Sequence, residues 1–172
     1  LDDLTGTGNA YTITVADAQV TAAALNTVNA ATSVNVTATA VTQITGTAAQ
    51  LATTYGGGMT GLGNETIVLT DTSLAAADLN TLDSNTTGLV TATSATQITG
   101  TAAQLITMYT ADTAATINID SDAVLIVTDT ITVTQANVLD AYTSGVITAT
   151  ISTTSISNLD DLTGTGNAYT IT

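Results

Sequence analysis

The sequence predicts an α/β solenoid, a right-handed stack of strand–short-helix coils with a parallel β-sheet on one face. Three observations predict it: a long repeat, a shorter repeat nested inside it, and alternating strand-like and helix-like segments within the shorter one. The long repeat brings back Leu1–Thr14 unchanged as Leu159–Thr172, at an offset of 158 residues. A chain that returns to its opening sequence in this way is typical of an excerpt from a tandem array.

The shorter repeat has an offset that carries Thr42 to Thr96. The decapeptide TQITGTAAQL occurs at Thr42–Leu51 and again at Thr96–Leu105, and the same offset superposes Val20–Thr27 on Leu74–Thr81. A third, more divergent copy runs over residues 124–167, so one period contains three units of about 53 residues. We therefore expect one full period at 1–158, with sub-units at about 10–63, 64–122 and 123–167, and the start of the next period at 159–172.

Each unit is divided again by tripeptides with Ala or Asp at the centre, most of them flanked by Thr. The central residues alternate along the chain in the order Asp17, Ala38, Asp71, Ala92, Asp129 and Ala149. This alternation predicts six coils of about 26 residues in each period, which is a length found in solenoid repeats.

One coil begins with Thr66–Thr70, where β-branched residues alternate with period two and predict a strand. Ser73 is then the expected N-cap of a short helix. So short a helix is marginal alone and must pack its apolar face on neighbouring strands. Strands of one sheet that are joined through a helix run parallel, with a right-handed crossover. The side chains expected between sheet and helix are Ile67, Leu69, Leu74, Leu79 and Leu82.

The second type of coil repeats this logic. Thr101 is the expected N-cap of a helix over Ala102–Tyr109, with Leu105 and Met108 facing inward. Three further threonines are expected at comparable helix starts, namely Thr21, Thr47 and Thr134.

Two segments interrupt the pattern. A glycine-rich bulge covers residues 56–64, and an insertion covers 111–122, in which Ile117–Asp120 is a candidate additional strand. The pattern Thr-Gly-x-Gly-Asn recurs at Thr5–Asn9, Thr60–Asn64 and Thr163–Asn167. It predicts a turn before a strand and not a phosphate-binding loop.

Composition excludes several classes of function. The chain has no Lys, Arg, His or Cys and a formal net charge of −14. Binding to nucleic acid or to an anionic membrane surface needs cations to neutralise phosphate, so neither is an expected partner. An apolar fraction of 44% and a mean hydropathy of +0.39 indicate a folded chain.

Catalysis has only carboxylates to draw on, because the usual nucleophile–base pairs need His, Cys or Lys. Asp160 and Asp161, repeated as Asp2 and Asp3, form the one adjacent pair. Neighbouring side chains diverge, so the pair is expected at a solvated helix end. No catalytic residue and no organic cofactor are predicted.

Calcium is the only cofactor for which the sequence offers candidates, because carboxylate oxygens suit Ca²⁺. Asp17, Asp71 and Asp129 are expected in register on one edge, two coils apart, which at about 9.6 Å is too far for one ion to bridge. Asp120 and Asp122 form a closer local candidate. The alternative is that Asp17, Asp71 and Asp129 end strands and accept backbone N–H groups.

Two other surface functions have partial sequence support. The Thr-x-Thr tripeptides on a flat sheet resemble the regular hydroxyl arrays of ice-binding solenoids. Against this, the central residue alternates between Asp and Ala, and Thr is also a good strand former. Glycosylation sequons begin at Asn35, Asn64 and Asn85, and in so threonine-rich a chain they arise by chance.

Three phrases carry a resemblance: LTDTSLAAADLNTLDSNTTG, ATQITGTAAQL and MTGLGNETIVLTD. They resemble the tandem repeats of very large bacterial surface proteins, especially those of marine cyanobacteria, one of which is associated with swimming motility. The resemblance covers most of the chain and departs most in the third unit, around Asp122–Asp140. It implies an extracellular, repetitive, structural protein and supplies no catalytic residues.

The combined expectation is a structural module of a long fibrous protein at the cell surface, acting as a filament, coat or spacer. Its expected partners are neighbouring copies of the same repeat, either in the same chain or in a polymer. A calcium-dependent adhesin repeat and an ice-binding solenoid are the two alternatives.

Overall fold

The computed structural model describes residues 8–152 and 155–172, which form an α/β fold. Parallel strands alternate with short helices along the chain. In chain order the elements are β1 (Gln19–Thr21), α1 (Ala22–Ala30), β2 (Gln43–Gly46), α2 (Ala48–Gly56), β3 (Thr66–Leu69), β4 (Ser73–Ala75), α3 (Ala76–Asn85), β5 (Val90–Ala92), β6 (Gln97–Gly100), α4 (Ala102–Thr113), β7 (Ile117–Ile119), β8 (Val124–Ile131), α5 (Val133–Asp140), β9 (Ile147–Ile151), a 3₁₀ helix (Ile156–Asp161) and β10 (Ala168–Ile171).

The strands form two five-stranded sheets, with orders β1-β2-β3-β5-β7 and β10-β9-β8-β6-β4. Every pair of neighbouring strands is parallel, including Ile67 opposite Val90, so the predicted parallel arrangement is confirmed. The candidate strand in the second insertion is present as β7, next to β5. Each connection between neighbouring strands in the first sheet passes through at least one helix, as parallel pairing requires.

The strand register explains how the two sheets relate to the shorter sequence repeat. Gln19 pairs with Gln43, and Gln43 pairs with Thr66, so two steps across the first sheet carry the chain from Gln19 to Thr66. The shorter repeat goes further, because it superposes Gln19 on Ser73, which lies beyond Thr66 and belongs to the second sheet. There Ser73 pairs with Gln97, which repeats the pairing of Gln19 with Gln43.

The strand β8 contains a bulge against β9. Ile126 pairs with Thr148 and Thr130 pairs with Thr150, so three residues of β8 stand opposite Ala149 alone. A bulge of this kind bends a strand and redirects its side chains. One of the three residues is Asp129, whose side chain points to a helix in the preceding unit.

Threonine caps begin four of the five α-helices that the structure describes. The hydroxyls of Thr21, Thr47, Thr101 and Thr132 each accept a backbone N–H of the first turn. In the last three a glutamine at the third helical position also reaches back to the cap, which forms a capping box. The predictions for Thr21, Thr47 and Thr101 are confirmed.

Two predicted caps are wrong. Thr134 lies inside α5, because Gln135 completes its capping box with Thr132 and so starts the helix two residues earlier. Ser73 lies in β4, because pairing with β6 keeps the backbone extended as far as Ala75. Ala75 is the N-cap of α3 and provides no side-chain hydrogen bond.

A continuous aliphatic core lies between the sheets and the helices. The five side chains expected there, Ile67, Leu69, Leu74, Leu79 and Leu82, are all buried, and so are Leu105 and Met108 of α4. Small residues allow close approach where a strand meets the preceding unit. A Cβ atom on Gly46 would lie 2.8 Å from the Cβ of Ala22, and one on Gly100 would lie 3.0 Å from that of Ala76.

Candidate functional site

Two of the predicted metal ligands act as caps for helices in a neighbouring unit. The carboxylate of Asp71 accepts the backbone N–H of Ala48, the first residue of α2, at 2.9 Å. The carboxylate of Asp129 accepts the N–H of Ala102, the first residue of α4, at 2.8 Å. A carboxylate at a helix N-terminus satisfies a free N–H group and interacts favourably with the helix dipole.

Asp71 and Asp129 thus occupy equivalent places two helices apart, one at the start of α2 and the other at the start of α4. Asp71 lies between β3 and β4, and Asp129 lies in the bulge of β8. The expected register of Asp17 with these two residues stays a prediction. Asp17 is exposed, and its side chain makes no hydrogen bond to another described residue.

The other two acidic candidates lie in a single turn. Asp120 begins the turn between β7 and β8 and Asp122 lies within it, and the Asp120 carbonyl accepts the N–H of Ala123 at 3.3 Å. Within residues 8–152 and 155–172, no three carboxylates lie close enough together to hold a metal ion. Calcium binding by these aspartates therefore stays a prediction.

The adjacent pair Asp160 and Asp161 lies at the end of the 3₁₀ helix with both residues exposed. The backbone carbonyl of Asp161 accepts the side-chain amide of Asn137 at 2.7 Å. The copies Asp2 and Asp3 lie outside the described residues.

An asparagine on every second helix connects it to the next helix. The side-chain amide of Asn26 donates to the carbonyl of Gln50 at 2.9 Å, and that of Asn80 donates to the carbonyl of Gln104 at 3.0 Å. Asn137 makes the same contact with the 3₁₀ helix. In each of the three hydrogen bonds, the donor and acceptor residues are 24 positions apart in the sequence. This contact was not identified from the sequence, although Asn26 and Asn80 occupy the same place in the superposed segments.

The first of these asparagines has a second polar partner that the next one lacks. The hydroxyl of Thr54 donates to the side-chain oxygen of Asn26 at 2.8 Å. At the equivalent position in the next copy of the shorter repeat the chain has Met108, which is fully buried. The side-chain oxygen of Asn80 is consequently buried without a hydrogen-bond partner among the described residues.

Threonine hydroxyls on the surface of the sheets and turns connect each strand–helix unit, which is half of one copy of the shorter repeat, to the strand–helix unit before it. Each donates to a backbone carbonyl 24 residues earlier, at distances between 3.0 and 3.4 Å. The donors are Thr42, Thr60, Thr66, Thr87 and Thr96. Their hydrogen atoms are therefore committed within the fold. The threonines of the Thr-x-Thr tripeptides are other residues, and their use in binding ice stays a prediction.

A buried carboxylate lies at the turn before β3. Glu65 is fully buried, and its Oε1 accepts the phenolic hydroxyl of Tyr55. Its Oε2 accepts the backbone N–H groups of Gly63 and Asn64 at 2.7 and 3.1 Å. Burial, followed by the hydrogen bond and charge of Glu65, raises the pKa of Tyr55 above its ordinary value. Through Glu65 the glycine-rich turn is therefore connected to Tyr55, near the end of α2.

The equivalent place in the next copy of the shorter repeat has no carboxylate. Ala123 replaces Glu65, and the hydroxyl of Tyr109 is buried without a hydrogen-bond partner among the described residues. Thr143 lies nearby, but its hydroxyl donates to the Ala123 carbonyl at 2.9 Å. Burial raises the pKa of Tyr109 to about 12, and its ring stacks on that of Tyr142 with centroids 4.9 Å apart.

The backbone around these two places is nevertheless the same. Thr86 donates to the Glu65 carbonyl at 2.6 Å and accepts the N–H of Gly88 at 3.0 Å. Thr143 makes the matching bonds to Ala123 and Gly145, both at 2.9 Å. A Cβ atom on either glycine would overlap the carbonyl oxygen that the threonine binds. The contact between successive units is thus kept while the side chain at its centre changes.

The candidate functional site is therefore the contact surface between successive strand–helix units. Its polar groups bind backbone groups of the neighbouring unit, and its chemistry is that of a joint. None of the described helices is long and apolar enough to cross a membrane. Comparison of the chain with protein-family models, with curated proteins and with solved structures found no match.

Proposed function

We propose that the chain is a structural repeat module of a long extracellular or cell-surface fibrous protein, in which it acts as a filament, coat or spacer without catalysis. In this proposal the strand–helix units are the coils of an α/β solenoid, about six to each period. Residues 1–158 are one period, with sub-units at about 10–63, 64–122 and 123–167, and residues 159–172 begin the next.

The observation that carries the proposal is the recurrence of the same inter-unit contacts along the chain. Asn26, Asn80 and Asn137 bind the next helix in the same way, and Asp71 and Asp129 each cap a helix of the preceding unit. Units that contact only their neighbours can be added without disturbing those already present. Such a chain grows in one direction, which suits a fibre.

The composition of the surface supports a hydrated, protease-resistant exterior. A net charge of −14 without any cationic side chain makes copies repel one another sideways and remain in solution. Proteases that cleave after Lys or Arg have no site in the chain. Both properties are useful to a protein exposed outside a cell, and its partners are then neighbouring copies of the same repeat.

The shape of chains with one, two and three copies tests the spacer function by small-angle X-ray scattering. Six coils at about 4.8 Å predict that the maximum dimension grows by about 29 Å for each copy added. A fibre-forming module gives a linear increase with an unchanged cross-section. Growth in cross-section, as in a compact multidomain particle, would contradict the proposal.

Localisation is tested separately with an antibody raised against residues 8–152. We expect it to label intact source cells without permeabilisation. Labelling that requires permeabilisation would contradict the cell-surface part of the proposal and leave the fibrous shape to the scattering measurement.

A further inference from the structure

A shallow groove lies at the end of the fold formed by β1 and α1. It has a volume of about 280 Å³, and its lining includes Val15, Asp17, Val20 and Val28. The side chains of Val20 and Val28 are only half-buried, and Asp17 is exposed. The groove thus combines an apolar floor with one carboxylate at its rim.

The same surface occurs a second time in the chain, in the next copy of the shorter repeat, and there it is covered. Leu74 and Leu82 stand at the positions equivalent to Val20 and Val28, and they are only 4% and 2% exposed. The helix α2 of the preceding unit packs against α3, on which Leu82 lies. Among the described residues no helix packs on α1 from the corresponding side, and Val20 and Val28 are only half-buried.

The carboxylate at the rim follows the same pattern. Asp71 and Asp129 are half-buried and accept an N–H group from a helix of the preceding unit. Asp17, the first member of this series, is exposed and has no such partner among the described residues. Both features of the groove therefore have equivalents elsewhere in the chain. There the apolar side chains are buried, and the carboxylates accept an N–H group of the preceding unit.

We propose that this groove is a joint that receives the last strand–helix unit of a second copy of the sequence, placed before it in the same array. Asp17 then accepts a backbone N–H of that copy, and Val20 and Val28 become buried. The proposal rests on the array of the proposed function and names the surface by which one period joins the next.

The C-terminal part of the chain supports this occupant. Its segment Leu159–Thr172 has the sequence of Leu1–Thr14, and Ala168–Ile171 within it already pairs in parallel with β9. If the sequence of residues 15–28 were repeated after Thr172, it would continue from that strand. It would then lie beside the last strand–helix unit of the first copy. The same unit offers an uncovered apolar side chain, Ile156, which is 83% exposed.

A cysteine-labelling experiment tests the joint, because the chain has no cysteine of its own. The chain is extended after Thr172 with residues 15–172, which gives two periods in one polypeptide. Val28→Cys is introduced either in the first copy or in the second, and the rate of reaction with a small aromatic disulfide reagent is measured. Ala49→Cys, at an exposed position of α2, is the matched control in each copy.

We expect Val28→Cys to react at least tenfold more slowly in the second copy than in the first, while Ala49→Cys reacts equally in both. Equal rates for Val28→Cys in both copies would overturn the proposal. Val20→Cys gives an independent reading of the same groove if Val28→Cys disturbs folding, as judged by circular dichroism.

A second measurement addresses the carboxylate. Asp17→Asn in the second copy is expected to lower the melting temperature by about 2–4 °C, and the same change in the first copy is expected to leave it unchanged. Equal effects in both copies would remove Asp17 from the joint. A compact two-copy particle with protected cysteines would contradict the spacer function alone, whereas an elongated particle with unprotected cysteines would contradict the joint alone.

Discussion

Thr54 and Asn26 are joined across neighbouring helices by a 2.8 Å hydrogen bond from the threonine hydroxyl to the asparagine side-chain oxygen. Met108 removes this bond from the next pair of helices and leaves the corresponding oxygen of Asn80 buried without a partner among the described residues. A buried acceptor without a donor costs about 1–3 kcal/mol. The pair α1–α2 is therefore held by a complete polar contact, whereas α3–α4 combines half of that contact with the apolar packing of methionine.

Replacing Thr54 by valine should lower the free energy of unfolding by about 1–3 kcal/mol, because it leaves the Asn26 oxygen without its donor while keeping the side-chain volume. The matched control is Thr53→Val. Thr53 is exposed on the same helix and donates only to the carbonyl of Ala49. We expect the control to change stability by less than about 0.5 kcal/mol in urea titrations. Equal losses in the two variants would show that the Thr54–Asn26 bond contributes nothing.

Removing the carboxylate that caps α2 should also destabilise the fold. Asp71→Ala leaves the N–H of Ala48 without its acceptor and removes a negative charge from the helix N-terminus, at a cost of about 0.5–2 kcal/mol. Asp17→Ala in the single-copy chain removes the same charge from a position without a partner among the described residues and serves as the control. Thermal unfolding of both variants checks the prediction. A loss in Asp17→Ala as large as that in Asp71→Ala would attribute the effect to net charge.

Much of the fold could be predicted because it depends on local chemistry. The alternation in Thr66–Thr70 and the helix starts at Thr47 and Thr101 are local signals, and the structure agrees with them. Ser73 misled the prediction of α3 because strand pairing with β6 overrode its capping preference. Competition between a local cap and a long-range pair cannot be weighed from one sequence.

The contact surface between units was less accessible to prediction. Asp71 and Asp129 were recognised as recurring residues, but the helices that they cap, α2 and α4, become known only from the structure. The asparagine contacts and the burial of Glu65 depend on which helix and turn lie beside them. Such neighbours become known only when the whole register is fixed.

Gly88 is a position at which any side chain should be costly. A Cβ atom there would overlap the carbonyl oxygen of Glu65, so Gly88→Ala must move two backbone segments apart, at about 1–3 kcal/mol. Gly56 is the matched control, because it ends α2 with no atom within 4 Å of an added Cβ. Gly56→Ala should be neutral or stabilise by up to about 1 kcal/mol. Similar destabilisation by both changes in urea titrations would contradict the steric explanation.

Salt should stabilise the protein. Because the net charge of −14 is not balanced by any cationic side chain, added NaCl screens repulsion within the folded chain, and the melting temperature should rise by several degrees between about 10 and 500 mM. Millimolar Ca²⁺ should raise it further than Na⁺ at equal ionic strength. A melting temperature that is insensitive to both ions would contradict the electrostatic argument and the calcium-binding alternative together.

Alkaline pH should unfold the chain through its buried tyrosines. Burial raises the pKa of Tyr109 from 10.0 to about 12, so the folded state keeps a proton that the unfolded state has lost. This stability is fully present below pH 10 and is lost as the pH rises from 10 to 12, by about 1–3 kcal/mol. Tyr109→Phe should keep or raise the stability at pH 7, because it removes a buried hydroxyl that has no partner among the described residues, and should reduce the alkaline loss. Urea titrations from pH 8 to 12 measure both effects, with Tyr11→Phe as the control for losing an exposed hydroxyl. An alkaline loss that is unchanged in Tyr109→Phe would mean that the buried phenol does not limit stability at high pH.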